Sequence, residues 1–260
     1  MNRTNTRPLR RPFSRQRGYS IIELAIAILI AVFLLGGLFS ILQSTRDTST
    51  NQNLLAQLQD NERIAMTILQ ETVQTAGYYP APLTTNAASA FPAAGTFTQA
   101  GQSIVGGANP TATALGDTIM VRYQSDGTTA VIGCLGTSDT GVGVTHTYQF
   151  LVQADPGGKT WSLYCIQDGG TAMALVPNVS SMTVAYGVDT TGTGTGVNAY
   201  LGQTDMNTTP TDWLNVYSVR LTLNFTNPLF GQSGQTAATL PFERVVNLMS
   251  RTGGNVSLFN

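Results

Sequence analysis

The residues that could do chemistry here are few, and most concern ionisable groups where water is scarce. The clearest is Glu23, within "RQRGYSIIELAIAILIAVFLLGGLFSILQ" at positions 15–43, where Leu24 to Phe39 are all apolar or glycine. An ionised acid at the middle of a bilayer costs about 2.5–3.5 kcal/mol on insertion scales, so a carboxylate at such a place calls for a cationic partner. Cys134 and Cys165 are the two cysteines. They make either a disulfide or two buried thiols, and two cysteines alone do not hold zinc. His146, the one histidine, falls on the apolar side of an alternating segment, as a core or interface residue does. Asp205 and Asp212 sit in a polar stretch and offer oxygens to Ca²⁺, but their spacing fits no recognised calcium loop. "QADPGGKT", Gln153 to Thr160, is one residue from a phosphate-binding loop. The lysine there is followed by a strand pattern instead of a helix, so a hairpin turn at Asp155-Pro156-Gly157-Gly158 is the expectation. Neither G-x-S-x-G nor H-E-x-x-H occurs. The sequence therefore predicts no catalytic residue, no metal site and no cofactor.

The charge is unevenly placed. Six of the 13 basic residues (Arg3, Arg7, Arg10, Arg11, Arg15, Arg17) lie in the first 18 positions, which hold no acid. The remainder carries 7 basic and 14 acidic side chains. That balance argues against nucleic acid as a partner, since phosphate binding needs a basic face. Tyr19 to Leu42 is interrupted only by Ser20, Glu23 and Ser40, and 24 residues suffice for about 30 Å of hydrocarbon. Arginines before this run predict a cytoplasmic N-terminus, with everything after Leu42 on the far side. A secretory signal would place its small residue after the apolar run. Here Gly18 comes before it, so cleavage at Gly18 would leave the apolar segment attached.

Arg17-Gly18-Tyr19-Ser20-Ile21-Ile22-Glu23-Leu24 resembles the processing site of type IV prepilins and pseudopilins. The resemblance implies cleavage by a prepilin peptidase between Gly18 and Tyr19, and methylation of the amine freed at Tyr19. It also implies that Glu23 pairs with the N-terminal amine of a neighbouring subunit in the fibre. Tyr19 and Ser20 stand where the family usually has Phe and Thr, and both keep size and character. "RIAMTILQETVQTAGYY", Arg63 to Tyr79, and "LPFERVVNLMSR", Leu240 to Arg251, further resemble the PilW group of minor pilins.

These residues need elements to carry them. Between Arg46 and Ala76, Leu55, Leu58, Ala65, Leu69, Thr72, Val73 and Ala76 recur at helical spacing, the stripe of an amphipathic helix. Gly77 caps it and Pro80 and Pro82 forbid continuation. Gly36-Gly37 and Thr48 to Asn53 are the points where a bend is expected. Residues 83–115 read as a long loop packed on the domain, and Thr190 to Gly196 as a mobile low-complexity loop. Period-2 alternation predicts strands around 119–124, 146–153, 161–166, 182–186 and 217–225, with one face packed and one wet. The expected fold is α+β and pilin-like, a long N-terminal helix packed on an antiparallel sheet. Its expected parts are a basic leader (1–18), a transmembrane half-helix (19–42), a periplasmic amphipathic half (43–78) and a β-rich head (79–260). Cys134 and Cys165 would then lie in an oxidising periplasm, where a bridge is the usual state.

By the resemblance the chain is a minor prepilin in the inner membrane that joins a tip complex priming pilus assembly. Its partners would be the prepilin peptidase, other minor pilins, the major pilin and the inner-membrane assembly platform. The alternatives are a type II secretion pseudopilin at the same tip position, or a tip-exposed binding module that uses its loops.

Overall fold

The computed structural model describes residues 18–108, 115–127, 133–136 and 141–252, with Arg251 and Thr252 described by backbone only. Its first element is helix α1, Ile21–Gln74, which runs unbroken through Gly36-Gly37 and the Thr48–Asn53 stretch. The threonines expected to weaken it fold their hydroxyls back onto the helix. Thr48 and Thr50 each donate to the carbonyl four residues earlier, at 2.8 and 3.0 Å, as Thr45 just before them does at 2.9 Å. That geometry satisfies the hydroxyl without breaking the ladder.

The chain divides into two compact units after Gln52. In the first, the side chains of α1 from Ile21 to Leu42 are exposed on every side. This part is long and apolar enough to cross a membrane once. In the second, α1 buries one stripe: Leu58, Ala65, Met66, Leu69, Thr72 and Val73. Leu55 is half-buried and Ala76, just past the helix, is fully buried. The stripe matches the helical spacing, with Met66 as an addition.

The stripe shares one core with two antiparallel sheets. The first has the order β1-β2-β3-β4-β5, with β1 Ile104–Ala108, β2 Asp117–Asp126, β3 Val142–Ala154, β4 Trp161–Gln167 and β5 Met173–Pro177. The second has the order β7-β6-β8-β9, with β6 Val179–Val188, β7 Ala199–Gly202, β8 Val216–Thr226 and β9 Thr239–Asn247. The expected α+β fold is present, with two sheets where alternation suggested one. They join where β2 begins. Gly116 forms a parallel bridge to Met182, and the Asp117 carboxylate accepts from Val184 N–H at 2.9 Å. Gly116 has φ +92°, and a Cβ there would run into the Met182 carbonyl, so only glycine allows this approach.

Residues 83–115 are more structured than expected. They contain helix α2, Ala87–Ala90, capped by the Asn86 side chain accepting from Ser89 N–H at 2.8 Å, and strand β1. Residues 109–114 lie outside the described ones. The path into this segment explains the Ala-Gly-Tyr-Tyr sequence. Gly77, at φ +77°, turns the chain out of the helix and donates to Arg122 C=O at 2.9 Å, and Tyr78 C=O accepts from Gln124 N–H at 2.8 Å. The chain thus leaves the helix by lying along β2.

Arg122 holds the segment down. Its side chain projects from β2 on the face opposite Val121 and Tyr123, yet it is only 3 % exposed. Nε donates to Gln102 C=O at 2.6 Å, Nη1 to Pro92 C=O at 2.9 Å and Nη2 to Phe91 C=O at 3.2 Å. The guanidinium carbon lies 4.3 Å from the Phe97 ring centre and 5.3 Å from that of Phe91. Desolvation pushes its pKa down to about 10, which leaves it charged at neutral pH. The planar fork donates to three carbonyls of the segment, of which that of Phe91 also accepts from Gly101 N–H at 2.7 Å. Arg122→Ala should therefore destabilise the second unit by about 2–4 kcal/mol, from lost hydrogen bonds and a cavity together. Arg122→Lys should recover only a minor part, because one ammonium cannot match the fork. Urea unfolding gives the energy, and limited proteolysis should cut within 79–103 in the alanine variant first.

Candidate processing and assembly site

Gly18, Tyr19 and Ser20 precede α1 and are exposed, while residues 1–17, including the arginine cluster, lie outside the described residues. Ser20 C=O accepts from Glu23 N–H at 3.0 Å and from Leu24 N–H at 3.2 Å, which fixes the first turn of the helix. Glu23 lies in that turn. A carboxylate there faces the free N–H groups at the positive end of the helix dipole, a favourable position in its own right. Ser20-x-x-Glu23 also has the spacing of a capping box, a signal the motif reading passed over. An acid in the first turn thus suits the helix dipole, whatever its role toward a neighbour. Glu23 lies four positions after Tyr19.

The remaining predicted residues are in the head. Cys134 and Cys165 are bonded to each other, with Cα atoms 6.5 Å apart. Cys165 is fully buried on β4, where it pairs with Phe150 of β3, and Cys134 belongs to the short described turn 133–136. The bridge closes a separation of 31 residues, which on the chain-entropy model stabilises the fold by about 3–4 kcal/mol. Of the residues around it, 128–132 and 137–140 lie outside the described ones.

His146 is largely covered, and its Nδ1 lies 3.0 Å from Asp168 Oδ2. The same carboxylate accepts from Thr147 N–H at 2.7 Å, so Asp168 closes the end of the β3–β4 ladder. The ring lies against Tyr123, which stacks on Tyr148. This is an interior place for the ring, on the packed side of the first sheet. The stretch Gln153 to Thr160 is a hairpin between β3 and β4. Asp155 organises it by accepting from Thr160, Ser162 and Tyr164 hydroxyls at 2.7, 2.9 and 2.9 Å. Asp205 lies in the first turn of the short helix α3, Gln203–Thr208, and Asp212 in the 3-10 turn that follows, Pro210–Asn215. Among the described residues no three His, Cys, Asp or Glu side chains cluster as a metal site would.

The Thr/Gly stretch after β6, expected to be a mobile loop, is organised by a residue that composition does not reveal. Asp189 is 1 % exposed. Its carboxylate accepts from the N–H groups of Thr191, Gly192 and Gly194 at 3.0, 3.1 and 2.7 Å, and from the Thr191 hydroxyl. The Thr191 hydroxyl bond, followed by the backbone N–H groups, holds its pKa below the ordinary carboxylate value against the opposing effect of desolvation. A depressed carboxylate pKa contributes stability that is complete above the unfolded value and is lost as pH falls through the folded one. Amide exchange, corrected for intrinsic rates, should thus show Gly192 and Gly194 protected at neutral pH and released in acid below the ordinary carboxylate range. Asp189→Asn should lack most of that protection at every pH, and full protection in that variant would refute the role given to the carboxylate.

A family model described as PilW, Type IV Pilus-assembly protein W, matches residues 149–243. The matched range runs from the middle of β3, through the second sheet, to the middle of β9. No curated protein matches the chain. With the long apolar N-terminal helix and the antiparallel head, this match supports the chain as a PilW-type pilus minor pilin.

Proposed function

We propose that this chain is a minor type IV pilin, cut by prepilin peptidase between Gly18 and Tyr19, that enters a tip complex and starts fibre assembly. The observation that carries the reading is Glu23, a lone carboxylate in the first turn of a helix whose apolar side chains are exposed all round to Leu42. In the lone subunit the amine freed at Tyr19 lies close in sequence to Glu23, and the pair can neutralise each other at the membrane surface. In the fibre Glu23 of an incoming subunit meets the amine of its neighbour instead. An exchange of partners keeps both charges compensated throughout, which insertion of an unpaired charge would not. The arginines before Gly18 hold the N-terminus in the cytoplasm and leave the head in the periplasm, where the Cys134–Cys165 bridge forms. The partners are then the other minor pilins, the major pilin and the inner-membrane assembly platform. The chain itself performs no catalysis in this reading: it is the peptidase's substrate and a structural subunit.

The Glu23→Ala variant tests this. It should insert in the membrane at least as well as the parent, since a desolvation cost is removed. The head should fold normally, because among the described residues Leu55 is the first apolar one packed against its core. Surface fibres should fall sharply at unchanged membrane abundance. Normal fibre counts at normal abundance would remove the assembly role given to Glu23.

A further inference from the structure

Asparagine followed two places later by serine or threonine, with no proline between, is an acceptor pattern for N-linked glycans in exported chains. After the apolar run it occurs at Asn178, Asn207, Asn224 and Asn255. Of these, Asn207 alone has an acid two places before it, in Asp205-Met206-Asn207-Thr208-Thr209. The others have Val176, Thr222 and Gly253 at that place. The acid gives the segment a charge that a transferase can hold with a cationic side chain.

The structure separates the sites further. Asn224 lies half-buried inside β8, between β6 and β9, and its amide donates to the Ser181 hydroxyl at 2.9 Å. Asn178 is exposed, but it is the single residue between β5 and β6, at φ +63°. The hydroxyl two places on, Ser180, donates to Asn224 C=O at 2.8 Å. Asn255 lies outside the described residues. Asn207 and Thr209 are both exposed, as are Asp205 and Thr208. Amide, hydroxyl and acid thus share one short surface segment.

That segment is also easy to open. Helix α3 has six residues, of which Thr204, Asp205, Asn207 and Thr208 are weak helix formers, and no side chain caps its start. Thr209, at φ −129° and ψ 82°, has already left the helix. What fixes the segment is Met206, fully buried and part of the core of the head.

We propose that Asn207 is an N-glycosylation acceptor, read through Asp205 and Thr209 and modified before Met206 enters the core. The donor class is an oligosaccharide carried on a polyprenyl pyrophosphate. The Asn207 amide nitrogen attacks the anomeric carbon, and the new C–N bond replaces the C–O bond to pyrophosphate. The lipid pyrophosphate leaves with the electron pair, and the amide gives up one proton to a base of the transferase. The proposal rests on the periplasmic placement of the head given above.

The test expresses the full chain in bacteria supplied with an oligosaccharyltransferase that reads an acid at that place, and with its lipid-linked glycan. A soluble exported acceptor protein in the same cells reports transferase activity. Peptide mass spectrometry should find the glycan on Asn207 and none on Asn178 or Asn224. Asn207→Gln, Asp205→Asn and Thr209→Val should each abolish it, whereas Thr209→Ser should keep it. Protease added to spheroplasts reports where the head lies. Bare Asn207 in a head that the protease cuts, beside a glycosylated soluble acceptor, would overturn the site and leave the placement. A head protected from the protease would overturn both. Glycan on Asn178 or Asn224 as well would overturn the selection by structure, and glycan kept in Asp205→Asn would overturn the role of the acid.

Discussion

The structure depends on a change of side-chain pattern along one helix. Up to Leu42 α1 carries apolar groups on every side, and from Leu58 onward it buries a single stripe. A helix satisfies its own backbone polar groups, so it is one of the two forms that can pass through hydrocarbon, and the same form then supplies a core face in water. The head is arranged around that second half. Leu69 and Val73 belong to the same core as Val121, Phe150 and Leu163 of the first sheet and Val184, Leu221 and Leu223 of the second. Replacing the stripe with polar residues would leave both sheets with an uncovered inner face.

What closes the head is less regular and more polar. Where α1 ends, three devices take over in succession: the αL turn at Gly77, the strand-like run of Tyr78 along β2, and the Arg122 fork over the segment 86–102. Each answers the same need, to satisfy backbone groups of a segment that is neither helix nor central strand. The Asp155 hairpin and the Asp189 loop solve it with a carboxylate, and Arg122 solves it with a cation. The low charge content of the chain is consistent with this use: several of its charged groups serve as internal hydrogen-bond hubs rather than as surface solvation.

Much of this was legible in the sequence, for physical reasons that also explain the rest. Period-2 alternation marks β2, β3, β4, β6 and β8 because each keeps apolar side chains on one face, even where, as in β2 and β4, the other face is covered too. It did not expose β1, whose Ile104-Val105-Gly106-Gly107-Ala108 contains two glycines, nor β5 and β7, which are five and four residues long. In β9 Pro241 obscures the pattern, and Arg244 takes an inward-facing place to donate to Gln70 of α1 at 3.0 Å. Alternation also cannot tell one sheet from two, since it reports a face and not its partner strand. Gly18, Tyr19 and Glu23 are proposed from a local signal, fixed spacing beside an apolar run. Arg122 and Asp189 give no such signal, because their importance arises from segments that pack back on them. Read locally, one is the polar position of a strand and the other the start of a Thr/Gly tract.

The assembly role proposed for Glu23 requires Gly18–Tyr19 to be a processed junction, because a freed amine is what gives Glu23 a partner to exchange. Intact-mass and N-terminal mass spectrometry of the protein extracted from membranes, in cells with active prepilin peptidase, tests this most directly. The predicted result is a chain that starts at Tyr19 and carries a methyl group on its terminal amine. A chain that retains residues 1–18 under those conditions would contradict it.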